Sequence, residues 1–168
     1  QRVPSHLSGR YVNTDNIDAD SDTFYGVELA GVMGPLSVQG EWGWMKSNGL
    51  TGGTDAKFNG GYIDVSYFIT GESRGYKNGA FDRVKVTNPV FEGGNGAWQV
   101  AARFDVIDLT DTVAAVVGGK QTSYIVGVNW HLNNYSRFMA NYSKSDINGG
   151  AFDNESINTF GLRFQVDW

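Results

Sequence analysis

The sequence contains no cysteine, only three prolines in 168 residues, and only 18% charged residues. Without cysteine the chain has no disulfide framework, no thiolate metal site and no cysteine nucleophile. No apolar run approaches the roughly 18 residues of a transmembrane helix, and residues 1–6 lack the apolar region of a signal peptide. We therefore expect a mature chain or one without its natural start. The net charge of −5 disfavours nucleic acid as a partner.

Glycine and aromatic residues are abundant, with 23 glycines and 14% aromatics. This composition suits many β-strands joined by tight turns, and it disfavours helices because glycine costs about 1 kcal/mol per helical position. A mean hydropathy of −0.32 does not argue against a membrane location. In a porin-type barrel lipid-facing and lumen-facing residues alternate, which keeps the mean hydropathy low.

The strongest pattern is an alternation of apolar and polar residues with a period of two. It is clearest at residues 160–168, where Phe160, Leu162, Phe164, Val166 and Trp168 alternate with Gly161, Arg163, Gln165 and Asp167. A helix would scatter both sets around its axis. The same pattern recurs at residues 25–33, 36–46, 61–69, 97–106, 124–132 and 136–143. We predict seven strands, with residues 7–13 as a candidate eighth, each near the length that a tilted transmembrane strand needs.

The predicted connections alternate in length. Residues 33–36 and 132–135 are predicted tight turns, whereas residues 47–57, 107–121 and 144–157 are predicted long polar loops. Outer-membrane barrels have short periplasmic turns and long outer loops. The sequence thus predicts an all-β, antiparallel transmembrane β-barrel in which Trp168 and both tight turns lie on the periplasmic side.

One connection, residues 70–96, is long although strand parity places it on the periplasmic side. It carries the basic residues Arg74, Lys77, Arg83 and Lys85. We call residues 70–96 the insert. Either the insert folds into the lumen, where its charges would raise the local anion concentration, or it is a mobile periplasmic loop.

The polar faces of the predicted strands carry a mixed set of charges. The basic members are Arg103, Arg137 and Arg163, and the acidic members are Glu28, Glu41, Asp64 and Asp105. The arginines have two interpretations: a cationic stripe that guides anions, or a ladder of salt bridges that braces the wall. The residues alone leave both open.

The apolar faces carry all five tryptophans, and those near strand ends would form the aromatic girdle of a membrane barrel: Trp42, Trp44, Trp98, Trp130 and Trp168. Counted from Asp18, a calcium-loop pattern fails at Thr23 and Leu29. His6 and His131 have no paired ligand nearby in the sequence, and no catalytic motif occurs. We expect no metal, no cofactor and no enzymatic activity.

Several segments resemble, in the same order, the family of phosphate-selective porins O and P. Residues 2–6 resemble that family's Arg-x-Arg-Pro-Glu-Ser-His stretch without its Glu. Residues 34–41 (Gly-Pro-Leu-Ser-Val-Gln-Gly-Glu), 67–74 (Tyr-Phe-Ile-Thr-Gly-Glu-Ser-Arg) and 96–103 (Gly-Ala-Trp-Gln-Val-Ala-Ala-Arg) resemble three more of its motifs. The resemblance covers nearly the whole chain but only the last part of the family's barrel.

The resemblance implies a sixteen-stranded barrel, usually trimeric, of which residues 1–168 form the C-terminal half. Loops from both sides fold inward in this family, which favours the lumenal placement of the insert. The best-known members draw anions through a pore lined by Arg and Lys. This chain departs from that pattern, since its polar strand faces carry three basic and four acidic residues.

We therefore expect a passive diffusion channel in the bacterial outer membrane for small solutes, anions such as phosphate among them. The expected partners are outer-membrane lipid and lipopolysaccharide, two further copies of the protein in a homotrimer, and the barrel-assembly machinery, which reads the C-terminal strand. One alternative is a small closed outer-membrane barrel with a structural or adhesion role. Another is a soluble ligand-binding barrel whose apolar faces point inward.

Overall fold

The computed structural model describes residues 9–51 and 53–168, and it confirms the all-β class. Seven long strands make one antiparallel sheet: β1 (Ser21–Met33), β2 (Leu36–Asn48), β3 (Ala56–Phe68), β6 (Ala97–Asp111), β7 (Val116–His131), β8 (Ser136–Asn148) and β9 (Glu155–Val166). Two short strands, β4 (Tyr76–Lys77) and β5 (Ala80–Phe81), form a separate hairpin in the insert. The only helical elements among the described residues are 3-10 turns at Val90–Glu92 and Gly150–Phe152.

The strand order is β1-β2-β3-β6-β7-β8-β9, so chain neighbours are also sheet neighbours. The sheet is open, with β1 and β9 at its edges. Seven strands alternate in direction, and β1 and β9 therefore run parallel to each other. An all-antiparallel closure would require an odd number of further strands between these edges.

The register brings the predicted apolar faces together on one side of the sheet. Trp98 pairs with Trp130, Trp130 with Phe138, and Phe138 with Phe164. This apolar face is exposed: Leu29 is 76% and Leu162 is 75% exposed. A soluble barrel would bury these side chains, whereas lipid would cover them.

The tight turn at Gly34 and Pro35 sets the register between β1 and β2. Gly34 has φ 57°, a conformation that glycine adopts without strain and that two-residue hairpin loops require. The turn aligns Met33 with Leu36, and the pairing continues to Ser21 and Asn48.

The three long loops are shorter in the structure than the sequence predicted. The connections are residues 49–55, 112–115 and 149–154, because the flanking strands extend to between 12 and 16 residues. The largest error concerns residues 107–121. Ile107, Leu109, Val116 and Val117 are good strand formers, and they prolong β6 and β7 past a register shift between Asp108 and Thr110.

The candidate eighth strand was also wrong over its described part. Residues 7 and 8, like the motif at residues 2–6, lie outside the described residues, and residues 9–20 form no strand. Within the described part of the chain, no helix has the length and apolarity needed to cross a membrane.

Candidate functional site

The polar face of the sheet is bound together by hydrogen bonds between uncharged side chains. The hydroxyls of Ser37 and Ser66 lie 2.7 Å apart, and Gln99 Nε2 donates to Ser66 Oγ at 2.9 Å. Asn129 Nδ2 then donates to Gln99 Oε1 at 2.9 Å. This row crosses β2, β3, β6 and β7. It satisfies buried polar groups and leaves the charged side chains to define the electrostatics of the face.

The insert packs against this polar face. Val84 and Val86 are buried in a cluster with Phe68 at the end of β3 and Ala97 at the start of β6. Val86 N–H donates to Asn134 Oδ1 in the β7–β8 turn at 2.8 Å. These contacts hold the second half of the insert, the returning limb that leads back to β6, against the polar face. None of them involves the apolar face.

A cavity of about 990 Å³ lies between the insert and the polar face. Its lining includes Gln99, Asn129 and Tyr135, and its charged members are Arg74, Arg83, Arg103, Arg137, Asp64, Asp82 and Asp167. The lining therefore carries four guanidinium groups and three carboxylates. We call this space the polar-face cavity.

Arg74 is a basic residue of the insert that lines the cavity and is half-buried. Its guanidinium carbon lies 3.9 Å from the centre of the Phe81 ring, a cation–π geometry that fixes the side chain. Burial lowers the pKa of Arg74, with the Asp64 carboxylate opposing that shift and Arg137 adding to it. The group stays ionised, since arginine does not lose its proton in proteins.

Three other basic candidates of the insert differ in placement. Arg83 also lines the cavity, with its guanidinium carbon 4.6 Å from the centre of the Tyr135 ring. Lys77 and Lys85 are exposed and are not part of the cavity lining.

Arg103 is engaged by an acidic neighbour on its own strand. Its Nη2 lies 2.7 Å from Asp105 Oδ1, and its guanidinium carbon lies 3.7 Å from the centre of the Tyr62 ring. In the register Arg103 also stands opposite Asp64. Arg103 is thus paired within its own strand by Asp105, and the choice between a bracing ladder and a cationic stripe stays open.

Arg137 and Arg163 lie on the neighbouring strands β8 and β9, which β7 separates from Arg103 on β6. Arg137 Nη2 donates to Gln165 Oε1 at 3.0 Å. The Arg163 side chain is exposed and makes no hydrogen bond or ion pair with the described residues, although its backbone pairs with that of Met139 in β8. The three arginines thus do not form one continuous stripe, and their role in guiding solutes stays a prediction.

The remaining acidic candidates lie away from the arginines. Glu28 on β1 and Glu41 on β2 stand directly opposite each other, and both are exposed. No ion pair among the described residues involves either carboxylate.

A second segment covers the other end of the polar face. Residues 9–20, which we call the strap, run from β1 past the β2–β3 connection towards β7. Ile17 and Ala19 pack on the cluster of Leu50, Ala56 and Phe58. Asn13 N–H then donates to Gly118 O at 2.9 Å, and the Tyr11 ring lies 5.3 Å from the Phe152 ring.

The predicted girdle residues lie on the opposite, apolar face. Trp98, Trp130, Phe138 and Phe164 form a continuous row across β6 to β9, with ring centres 5.2, 6.1 and 4.6 Å apart. Trp44 stacks on Tyr25 at 5.5 Å and lies 6.3 Å from Trp42, and Trp168 is fully exposed.

The described residues contain no group of three or more His, Cys, Asp or Glu side chains placed to hold a metal. His131 is buried, with its ring centre 5.6 Å from that of Phe68. His6 lies outside the described residues.

An antiparallel sheet with one exposed apolar face and one polar face covered by inserts has the architecture of a porin wall. The family described as phosphate-selective porin O and P matches residues 6–168. The chain is 37% identical over 134 residues to porin O of Pseudomonas aeruginosa, an alignment that covers 74% of this chain and 30% of that protein. It is 35% identical over 174 residues to an uncharacterized protein of Caulobacter vibrioides, covering 100% of this chain and 35% of the relative.

The chain therefore belongs to the phosphate-selective porin O and P family, as its motifs predicted. The family is one of porins. The chain spans about a third of the length of these two relatives.

Sequence reasoning missed the strap, the row of uncharged hydrogen bonds and the aromatic platforms Phe81 and Tyr135. It also assigned no role to Thr70 or Glu72, although both belong to the Thr-Gly-Glu-Ser-Arg motif. That motif was the available signal, since a carboxylate beside a strand end and a hydroxyl two residues earlier can form a local hydrogen bond.

Proposed function

We propose that this chain forms part of the wall of an outer-membrane diffusion channel, and that its polar face lines the lumen. The observation that carries the proposal is the docking of the insert on the polar face, where Val84 and Val86 are buried against Phe68 and Ala97. In a closed barrel this position lies inside the lumen. The insert would then narrow the channel at its periplasmic end.

We propose further that the channel favours small anions, including phosphate. The insert brings Arg74 and Arg83 into the cavity that Arg103 and Arg137 also line. Because Asp105 neutralises Arg103, we assign the anion-guiding role chiefly to Arg74, Arg83 and Arg137. A guanidinium stacked on an aromatic ring keeps its charge and its donors facing the solute path.

The strap supports a second narrowing at the outer end of the lumen. Its apolar residues Ile17 and Ala19 pack against the cluster of Leu50, Ala56 and Phe58, so this part of the polar face is covered rather than open to solutes. The lumen that remains would run past the parts of β6 to β9 between the strap and the insert, where Arg103 and Arg137 line the polar-face cavity.

The exposed apolar face would contact outer-membrane lipid, with lipopolysaccharide at its outer rim. The row from Trp98 to Phe164 would lie at the periplasmic interface, since aromatic residues favour the membrane–water boundary. A homotrimer, which the family resemblance implies, completes the proposal, together with recognition of the last strand and its aromatic Trp168 by the barrel-assembly machinery.

Planar-bilayer recordings of the protein in its full natural length test the proposal. Arg74→Gln should lower the anion-to-cation permeability ratio by roughly threefold, because one cationic charge is removed from a narrow passage whose low-dielectric walls focus its field. The matched control is Lys77→Gln, which removes the same charge from an exposed position on the same insert and should leave the ratio unchanged. An unaltered reversal potential in Arg74→Gln would reject the lumenal placement of the insert.

A further inference from the structure

The root of the insert contains a buried carboxylate that the proposed anion path does not use. Glu72 is only 5% exposed, and it lies two residues before Arg74. Burying a carboxylate is unfavourable unless hydrogen bonds compensate for the lost water. The hydrogen bonds of Glu72 therefore show what the residue does.

Those hydrogen bonds join three separate segments. Trp98 N–H, at the start of β6, donates to Thr70 Oγ1 at 3.0 Å, and the Thr70 hydroxyl donates to Glu72 Oε2. Thr87 N–H, on the returning limb of the insert, donates to Glu72 Oε1 at 3.4 Å. One carboxylate thus connects the outgoing limb, the returning limb and the strand that follows.

This network is complete only while the insert is docked. If the returning limb moved away from the polar face, Glu72 would lose the Thr87 donor. Val84 and Val86 would leave their apolar cluster at the same time. Hydrogen bonds to an ionised acceptor are stronger than neutral ones, so the carboxylate adds a specific restraint to the apolar contacts.

We propose that Glu72 is a positioning residue that holds the insert docked on the polar face and thereby keeps Arg74 in the polar-face cavity. The effect of Glu72 on permeation rests on the proposed function, whereas its effect on the mobility of the insert is independent of that function. The two effects can be measured separately.

The mobility of the insert is measured by the rate of tryptic cleavage after Lys77, Arg83 and Lys85 in the detergent-solubilised, full-length protein, with mass spectrometry of the fragments. Glu72→Ala should accelerate cleavage about tenfold, which corresponds to a loss of about 1.4 kcal/mol in docking. The matched control is Glu92→Ala, which removes an exposed carboxylate from the same insert and should leave the rate unchanged.

Two further variants keep the test decisive if Glu72→Ala fails to fold. Thr70→Val removes the hydroxyl of the network at nearly constant shape and should also accelerate cleavage. Glu72→Gln retains one carbonyl oxygen for Thr87 N–H, and its rate should lie between those of the wild type and Glu72→Ala. Wild-type cleavage rates in the folded variants would overturn the role of Glu72.

Conductance recordings on the same variants separate the two proposals. Faster cleavage with larger open-channel current fluctuations supports both the restraint and the lumenal insert. Faster cleavage with wild-type conductance and fluctuations supports the restraint by Glu72, but it overturns the placement of the insert in the lumen.

Discussion

Arg103 donates hydrogen bonds from both Nε and Nη2 to the carboxylate of Asp105, the shortest 2.7 Å long. The two residues project from the same side of β6, two positions apart, and the guanidinium also covers the Tyr62 ring. A basic residue on the polar face is therefore not automatically free to attract a solute. The charge that the polar face presents therefore depends on which of its arginines are paired with carboxylates.

Removing the partner of Arg103 should make its charge available. We expect Asp105→Asn to raise the anion-to-cation permeability ratio roughly twofold or more, because an unneutralised guanidinium raises the local anion concentration. The measurement is the reversal potential in a salt gradient. Asp108→Asn is the control, since Asp108 lies three positions along β6, on the opposite face, near Lys120. Equal reversal potentials in Asp105→Asn and the wild type would show that Arg103 does not contact the solute path.

We expect the local stability of the β2–β3 connection to depend on pH through the Asp55 carboxyl group. The Lys46 ammonium, 2.7 Å away, and the Gly49 N–H hold the pKa of this carboxyl below its ordinary value. A depressed folded pKa means that the stabilising contribution is present above the unfolded pKa of about 3.9 and is lost as the pH falls through the folded value.

Hydrogen exchange measures this dependence. The protection factors of amides in residues 49–55, corrected for intrinsic exchange rates, should fall between about pH 6 and pH 2.5. Asp55→Asn should show low protection at both pH values. Wild-type protection that stays constant across this range would contradict the role of the Lys46–Asp55 pair.

The aromatic row on the apolar face should stabilise the sheet in a bilayer. Trp130 lies between Trp98 and Phe138, and its indole N–H donates to Asn95 O at 2.9 Å. Trp130→Ala should lower the free energy of unfolding by about 2–4 kcal/mol, since it removes two ring contacts, one hydrogen bond and most of a large side chain.

Urea-induced unfolding in lipid vesicles gives that free energy. Trp168→Ala is the control, because Trp168 is fully exposed and has no ring partner among the described residues, so it should lose less than about 1 kcal/mol. Similar losses in the two variants would mean that the row contributes no more than a single lipid-exposed tryptophan.

For the candidate site, the sequence indicated which residues lie on the polar face and in the insert, and the roles of those residues stay predictions. The insert and its basic residues were recognised from the length and charge of the segment. The sequence did not show that Arg74 lines the cavity whereas Lys77 does not. That difference depends on the ring of Phe81 and on the cavity wall, which are brought together by folding. The pairing of Arg103 with Asp105 was expected only as one of two interpretations.

The sequence by itself determined the two faces of the sheet and the order of its strands. Alternation with a period of two is a local property, and short connections make chain neighbours into sheet neighbours. Gly34 likewise fixed the first hairpin through its own dihedral angle.

Only the tertiary structure decided where the strap and the insert lie, how far β6 and β7 extend, and which charges are neutralised. The strap is held by the packing of Ile17 on the cluster that contains Phe58 and by the hydrogen bond from Asn13 to Gly118. The insert is held by the hydrogen bond from Thr87 to Glu72. These partners are distant in sequence or lie in segments without a repeating pattern. Their pairing depends on burial and hydrogen-bond geometry that appear only when the sheet has formed.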